Sequence, residues 1–534
     1  MRVPALAACL LLIFSSSVLH AQSTSASLRG HVTDPSHAFV ADAKISAIST
    51  AMSFRYETTT NTSGEYYLTN LPPGVYQIEI EKSGFKKIIK PDVTLHVQDA
   101  IEINFELSLG SATETVSVQS GAPLVNTESA TVSTVIDRTF VDSLPLNGRS
   151  FQTLIMLTPS VVVTATAFDD QGQLSVNGQR ADANYFTVDG VSANFGVTGY
   201  FPLVQTAGGA LPALSACGGT NSLVSVEAMK EFRMQTSSFA PEFGRTPGGQ
   251  VSIVTRSGTN SFHGTLFEYF RNDVLDAKDW FANFNHFPKP AERQNLFGGV
   301  LGGPVLKDKT FFFFSYEGLR LRQPATRESV VPDLAVRQQA PASIQPYLNA
   351  YPLPNGPAVG TGSAQFNGSF SDPSSLDAYS IRVDQAINSK VGLFGRYNYS
   401  PSSLNQRPTN QGFEPNLSTT QLFSSSVQTL TFGSTQILTD RISNEARANY
   451  SNDRFGTKFS MDGFGGAVPL ADSVLFPPGF SSANGVFSVE ILGVGELTTR
   501  KVARLFNTSA FNGTDSQTLL ETAAVTAQFL LATA

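Results

Sequence analysis

Polar and apolar residues take turns along two stretches of the chain, and the period is that of extended strands. Within Val75–Glu81, Tyr76, Ile78 and Ile80 fall on one side while Gln77, Glu79 and Glu81 fall on the other, because successive side chains of a strand point to opposite faces. Ile101, Ile103, Phe105 and Leu107 alternate in the same way with Glu102, Asn104 and Glu106. Turn formers break this region at short intervals, at Asn61–Gly64 and at Pro72-Pro73-Gly74. Such spacing predicts a β-sandwich over residues 27–109.

From Phe262 onward the strands lengthen. Tyr379, Ile381 and Val383 alternate with Ser380, Arg382 and Asp384, and Asn388-Ser389-Lys390 can turn the chain. The return strand sets Val391, Leu393, Tyr397 and Tyr399 against Arg396 and Asn398. Ile442, Ala446, Ala448 and Tyr450 then stand opposite Glu445, Arg447 and Asn449. Soluble antiparallel sheets alternate in this way, and so do barrels with one side in lipid and the other on a wet lumen. Between the two regions, residues 111–260 are richer in Ser, Thr, Gly and Asn. Val135–Pro145 and Val226–Met234 read there as helix-like pieces among short strands, so this part is mixed α/β.

Composition narrows the choice. Of 534 residues only 15% are charged, with 43 Gly and 40 Phe against one Trp, which suits glycine-punctuated β-structure and not helical bundles. The net charge of -7 is mild, and lysines and arginines are scattered without a basic run, so a nucleic-acid partner is not expected. Arg2 precedes an apolar run ending near Ala21, the layout of a secretory signal over residues 1–21. Removing it would leave Cys217 as the sole cysteine and no internal disulfide. No later apolar run reaches the roughly 18 residues that a spanning helix needs, so any insertion would be as a closed barrel.

Two resemblances give these regions names. The order LRGHVTD, ADAKISAIST, TSGEYYLTNLPPGVYQIEIEKSGFKK is similar to the carboxypeptidase regulatory-like domain, a non-catalytic sandwich. Further on, TETVSVQSG, LPLNGRSFQTLIMLTPSV, LSVNGQRADANYFTVDGVSAN and FAPEFGRTPGGQVSIVTRSGTN fall in an order that resembles the plug of TonB-dependent outer-membrane transporters of the Oar-like type. The resemblance implies a mainly β chain: the sandwich, a plug over 111–260, then a transmembrane β-barrel from 262 to 534. It implies residence in the outer membrane, with lipid around the wall, a transported ligand inside and a TonB-type energising protein in the periplasm. Glu114, Thr115, Val116, Ser117 and Val118 look like the TonB box that such a partner captures as an added strand. Their other reading is the last strand of the sandwich. Asp189-Gly190 resembles the turn of a plug hairpin, and Gly248-Gly249 a flexible bend toward the wall. Thr255 and Ser257–Asn260 belong to the same motif.

Catalysis is not expected. His31-x-x-Asp34 and His96-x-x-Asp99 have the makings of metal pairs, yet a separation of three along a strand puts the two side chains on opposite faces. The chain lacks HExxH, GxSxG, Walker and GxGxxG motifs, and no metal or cofactor is called for. The barrel departs from the family pattern. About 22 strands close the large transporters and need on the order of 300 residues; the stretch after Phe262 supplies enough for about 8 to 12 strands with long loops. LLETAAVTAQFLLATA at the end reads as a helix former without alternation. The expectation is therefore an incomplete barrel from a truncated chain, the alternative being a secreted or surface β-sandwich protein that binds carbohydrate or protein.

Overall fold

The computed structural model describes residues 24–110, 115–117, 129–144, 152–164, 173–180, 183–194, 223–239, 247–278, 280–284, 286–407, 416–439, 442–479, 481–482, 486–491, 495–500, 506–510 and 526–533. The signal segment, Cys217, Glu114 and Val118 lie outside them. Three sheet systems follow one another along the chain, and the fold is mainly β.

The first is a sandwich. In one sheet the strand Ala26–Thr33 pairs antiparallel with Glu65–Leu71 and parallel with Ala100–Glu102 and Phe105–Glu106. The other sheet has the order Arg55–Thr59, Lys44–Ser49, Gly74–Glu81, Lys87–Leu95, Thr115–Ser117. Leu28, Ile45, Tyr66, Tyr76, Ile78, Ile80 and Leu95 fill the space between them. The alternation of Val75–Glu81 is thus resolved apolar side inward, and the buried Tyr66 hydroxyl donates to Ile103 O at 2.7 Å, as a buried hydroxyl requires.

The middle unit centres on a five-stranded sheet ordered Val132–Ile136, Met229–Ser237, Gln250–Thr255, Tyr185–Val188, Val191–Ser192. Asp137 caps the short helix Arg138–Ser143 by accepting from Phe140 N, so the helix-like reading of Val135–Pro145 holds over those six residues, while Val135 and Ile136 end the preceding strand. Val226–Met234 does not follow its helical reading. Only Val226–Ala228 make a 3-10 turn, and Met229–Ser237 is a strand between two neighbours. Its period-two faces decide the matter, with Phe232 and Met234 in the core of this unit and Glu231, Arg233 and Gln235 on the opposite side.

Beyond Phe262 a single antiparallel sheet of twelve strands runs among the described residues. Its long members are His263–Asn272, Arg293–Leu306, Thr310–Pro332, Ser363–Asn388, Val391–Gln406, Thr419–Thr439 and Ile442–Met461. Ser363–Asn388 has 26 residues and Thr419–Thr439 has 21, about twice the 9–11 needed to cross a bilayer. Here the alternation is resolved the other way. Ile381 is 45% exposed and Phe432 54%, whereas Arg396 is 2% exposed and Ser380, Asn398, Ser400 and Thr431 are buried. Around Ile381 and Phe432 the apolar residues thus face outward and the polar residues face inward. Val300, Phe313 and Val427 of the wall join the core of the middle unit.

Among the described residues the sheet does not close on itself. His263–Asn272 has a neighbour on one side only among the described residues. At the other end, Ile442–Met461 is paired piecewise by Thr526–Thr533, Phe506–Ala510 and Gly495–Arg500. The terminal segment is therefore a strand over Thr526–Thr533 and not the helix its composition suggests. Eight consecutive residue pairs with Ile442–Asn449 satisfy one edge of its backbone, and an open edge overrides local propensity.

Candidate functional site

Of the sequence-selected residues, Asp189, Gly190 and Thr255 gather where the middle unit meets the wall. Asp189 and Gly190 form the two-residue turn between Tyr185–Val188 and Val191–Ser192, with φ of 50° and 80°. Positive φ at both positions is the geometry that an Asp-Gly pair accepts. Gly190 also lies so close to the wall that a Cβ there would meet the Arg447 guanidinium. Gly248 and Gly249 serve by being small. A Cβ on Gly248 would stand 2.3 Å from Ala183 O, and one on Gly249 2.4 Å from Met234 Cε. Gly248 N donates to Ala183 O and Gly249 N to Asn184 Oδ1, both at 2.9 Å.

The Asp189 carboxylate is the hub. Thr255 N donates to Oδ1 at 2.9 Å and the Thr255 hydroxyl to Oδ2 at 2.9 Å. From the wall, Arg382 Nη1 donates to Oδ1 at 3.1 Å and Arg396 Nη1 stands 4.0 Å from Oδ2. Arg382 is held in turn by Asp384 at 2.8 Å, and Arg396 Nη2 donates to Leu223 O at 2.7 Å. A turn of the middle unit is thereby tied to two adjacent wall strands through charge that water barely reaches. Such a cluster is strong while complete and costly when one member is removed. Sequence reasoning placed Asp189 and Thr255 in a motif and missed Arg382 and Arg396. Arg382 is 193 positions from Asp189, and only the inward side of the alternation flagged either arginine.

Thr115, Val116 and Ser117 occupy the free edge of the sandwich strand Lys87–Leu95, parallel to it, with Lys87 opposite Thr115 and Ile89 opposite Ser117. The segment is thus the last strand of that sandwich sheet, as its other reading has it, at an edge where a strand can be added. His96 and Asp99, read from the sequence as strand residues facing apart, sit in a turn instead. There His96 N donates to Asp99 Oδ2 at 2.8 Å, and Ala100–Glu102 resumes the strand. Among the described residues no three His, Cys, Asp or Glu groups converge to hold a metal ion.

A cavity of about 330 Å³ opens where sandwich, middle unit and wall meet, lined by Tyr56, Lys230, Thr255, Arg382, Asp384 and Phe394 among others. Lys230 donates to Pro73 O, and burial pushes its ammonium below the usual lysine range. Phe54 of the sandwich packs edge-on against Phe311 of the wall at 5.6 Å.

Comparison with known proteins agrees with this layout. Residues 27–108 match the carboxypeptidase regulatory-like domain family, and residues 254–343 and 336–523 match the outer membrane beta barrel domain family. The TonB-dependent transporter Oar of Myxococcus xanthus is 29% identical over 299 residues, which cover 54% of this chain and 26% of that protein. The chain thus spans about a quarter of the length of this curated relative. Among solved structures, the outer-membrane transporter YddB of Escherichia coli superposes with a TM-score of 0.42 at 13% identity, covering 61% of this chain and 39% of that one. A variant of the ferric enterobactin receptor PfeA of Pseudomonas aeruginosa gives 0.39 at 14% identity, covering 62% and 42%. With its family match reaching across the wall, the chain belongs to the outer membrane beta barrel domain family and carries a carboxypeptidase regulatory-like domain ahead of the wall.

Proposed function

We propose that the chain acts in TonB-dependent transport across the outer membrane, with residues 111–260 as the plug and the sheet from residue 262 as wall. The observation that carries this reading is the Asp189 cluster. A small sheet is seated against the polar side of a much larger one and anchored by a buried carboxylate between Arg382 and Arg396. The outward side of the larger sheet is apolar, as lipid contact demands.

The roles of the remaining residues follow. Glu114–Val118 is the box that a TonB-type partner takes as an added strand, since an extended segment on a sheet edge is ready for that exchange. Asp189-Gly190 and Gly248-Gly249 shape the plug so that it fits the wall. Transport breaks no bond in the ligand, so the site needs no nucleophile, metal or cofactor. Its work is to hold and release the plug. The mature chain is exported by its signal segment, and lipid surrounds the wall.

Deletion of residues 114–118, tested by cross-linking to the TonB-type partner in intact cells, checks the reading. The cross-link is expected in the native chain and lost in the deletion, while both stay in the outer-membrane fraction. A cross-link that survives the deletion refutes the box.

A further inference from the structure

The turn that follows the sandwich strand Lys87–Leu95 docks on the middle sheet through a regular set of contacts. Strand Met229–Ser237 presents Glu231, Arg233 and Gln235 on one face, and each meets a residue of the turn. Glu231 accepts from Val97 N at 2.5 Å and faces His96 Nδ1 at 2.8 Å. Arg233 Nε donates to Val97 O at 2.6 Å, and its Nη2 pairs with Asp99. Gln235 Nε2 donates to Gln98 Oε1 at 2.7 Å, and Gln98 Nε2 to Ser252 Oγ at 2.9 Å. Val97, Asp99, Glu231, Arg233, Gln235 and Ser252 are all buried.

Removing one partner of a buried pair strands the other charge in a poor solvent for it. Turn and strand therefore separate together or stay together. We propose that the N-terminal sandwich is a latch on the plug, in which the His96–Asp99 turn clamps strand Met229–Ser237 and plug release requires the sandwich to let go. The inference rests on the plug and box readings above and deepens them. Thr115–Ser117 pairs with Lys87–Ile89, at the start of the strand that leads into the latch turn. Tension on the box thus loads first the strand that ends in the clamp.

Hydrogen exchange on the full chain in detergent tests the latch. Asp99→Asn is expected to raise exchange at residues 96–99 and 229–237 by tenfold or more, while residues 76–80 in the sandwich core keep their protection. Unchanged exchange at 229–237 overturns the latch. Should Asp99→Asn fail to fold, Gln98→Cys with Ser252→Cys, in a Cys217→Ser background and bridged by a short reductant-cleavable bis-methanethiosulfonate, gives a second test. Bridging is expected to go to completion and to slow exchange at 229–237, and cleavage to restore it; failure to bridge overturns the latch. Asp189→Ala separates this from the parent reading. It is expected to raise exchange at 185–188 and 250–255 with residues 96–99 still protected, and full protection at 185–188 refutes the plug instead of the latch.

Discussion

The sandwich strand Gly74–Glu81 and the Tyr379–Asp384 part of the wall strand Ser363–Asn388 share one alternation and bury opposite halves of it. Ile78 is 0% exposed and its face is closed by a second sheet. Ile381 has the same side chain in the same kind of strand, and it points away from the protein while Ser380 and Asp384 point in. The period of a pattern therefore fixes the strand, and the solvent fixes which face goes inside. A sheet built apolar side out is unstable in water and suited to lipid.

The comparison can be broken hardest at the inward face of the wall. Asp189→Ala leaves Arg382 with Asp384 as its one carboxylate and Arg396 with none, and is expected to cost about 3–5 kcal/mol of the seating of the middle unit on the wall. Urea titration followed by proteolysis would show the middle unit released well before the wall unfolds. In the sandwich, Ile78→Ala opens a cavity in a closed core and should cost about 2–5 kcal/mol. The same change at Ile381 should stay within about 0.5 kcal/mol in detergent. Equal losses at the two sites in paired melting curves would erase the distinction drawn here.

A smaller effect lies at the contact between the two regions. Hydrogen bonding to Glu231, with the nearby charges of Asp99 and Asp137, raises the His96 pKa above its ordinary 6.5, against a lowering by burial. A histidine whose folded pKa is raised stabilises most below its unfolded value, and the gain is lost as pH climbs through the folded value. Sandwich docking should accordingly weaken from pH 6 toward alkaline pH, with Arg233 and Asp99 still paired. In His96→Gln the dependence should flatten, as read by exchange at residues 229–237.

Much of this was legible in the sequence because it is local. The strands, the Asn388–Lys390 turn and the Asp189-Gly190 turn depend on residues next to one another. Met229–Ser237 was not, since Met, Lys, Glu and Arg favour helix in isolation and only flanking strands hold them extended. Thr526–Thr533 is the same case, recruited by an open edge. Nor did the sequence reveal which partners Asp189 or Glu231 would find. His96 is 135 positions from Glu231, and a pairing over that distance leaves no periodic mark.

The central claim is that the outward side of the wall meets lipid. Spin labels at Ile381→Cys and Phe432→Cys, compared with Ser380→Cys and Thr431→Cys in lipid vesicles, test it most directly. The account predicts that the first two are open to dissolved oxygen and closed to a water-soluble nickel chelate, with the second two showing no such preference. Nickel access at Ile381 and Phe432 equal to that at Ser83→Cys on the exposed sandwich surface would contradict it.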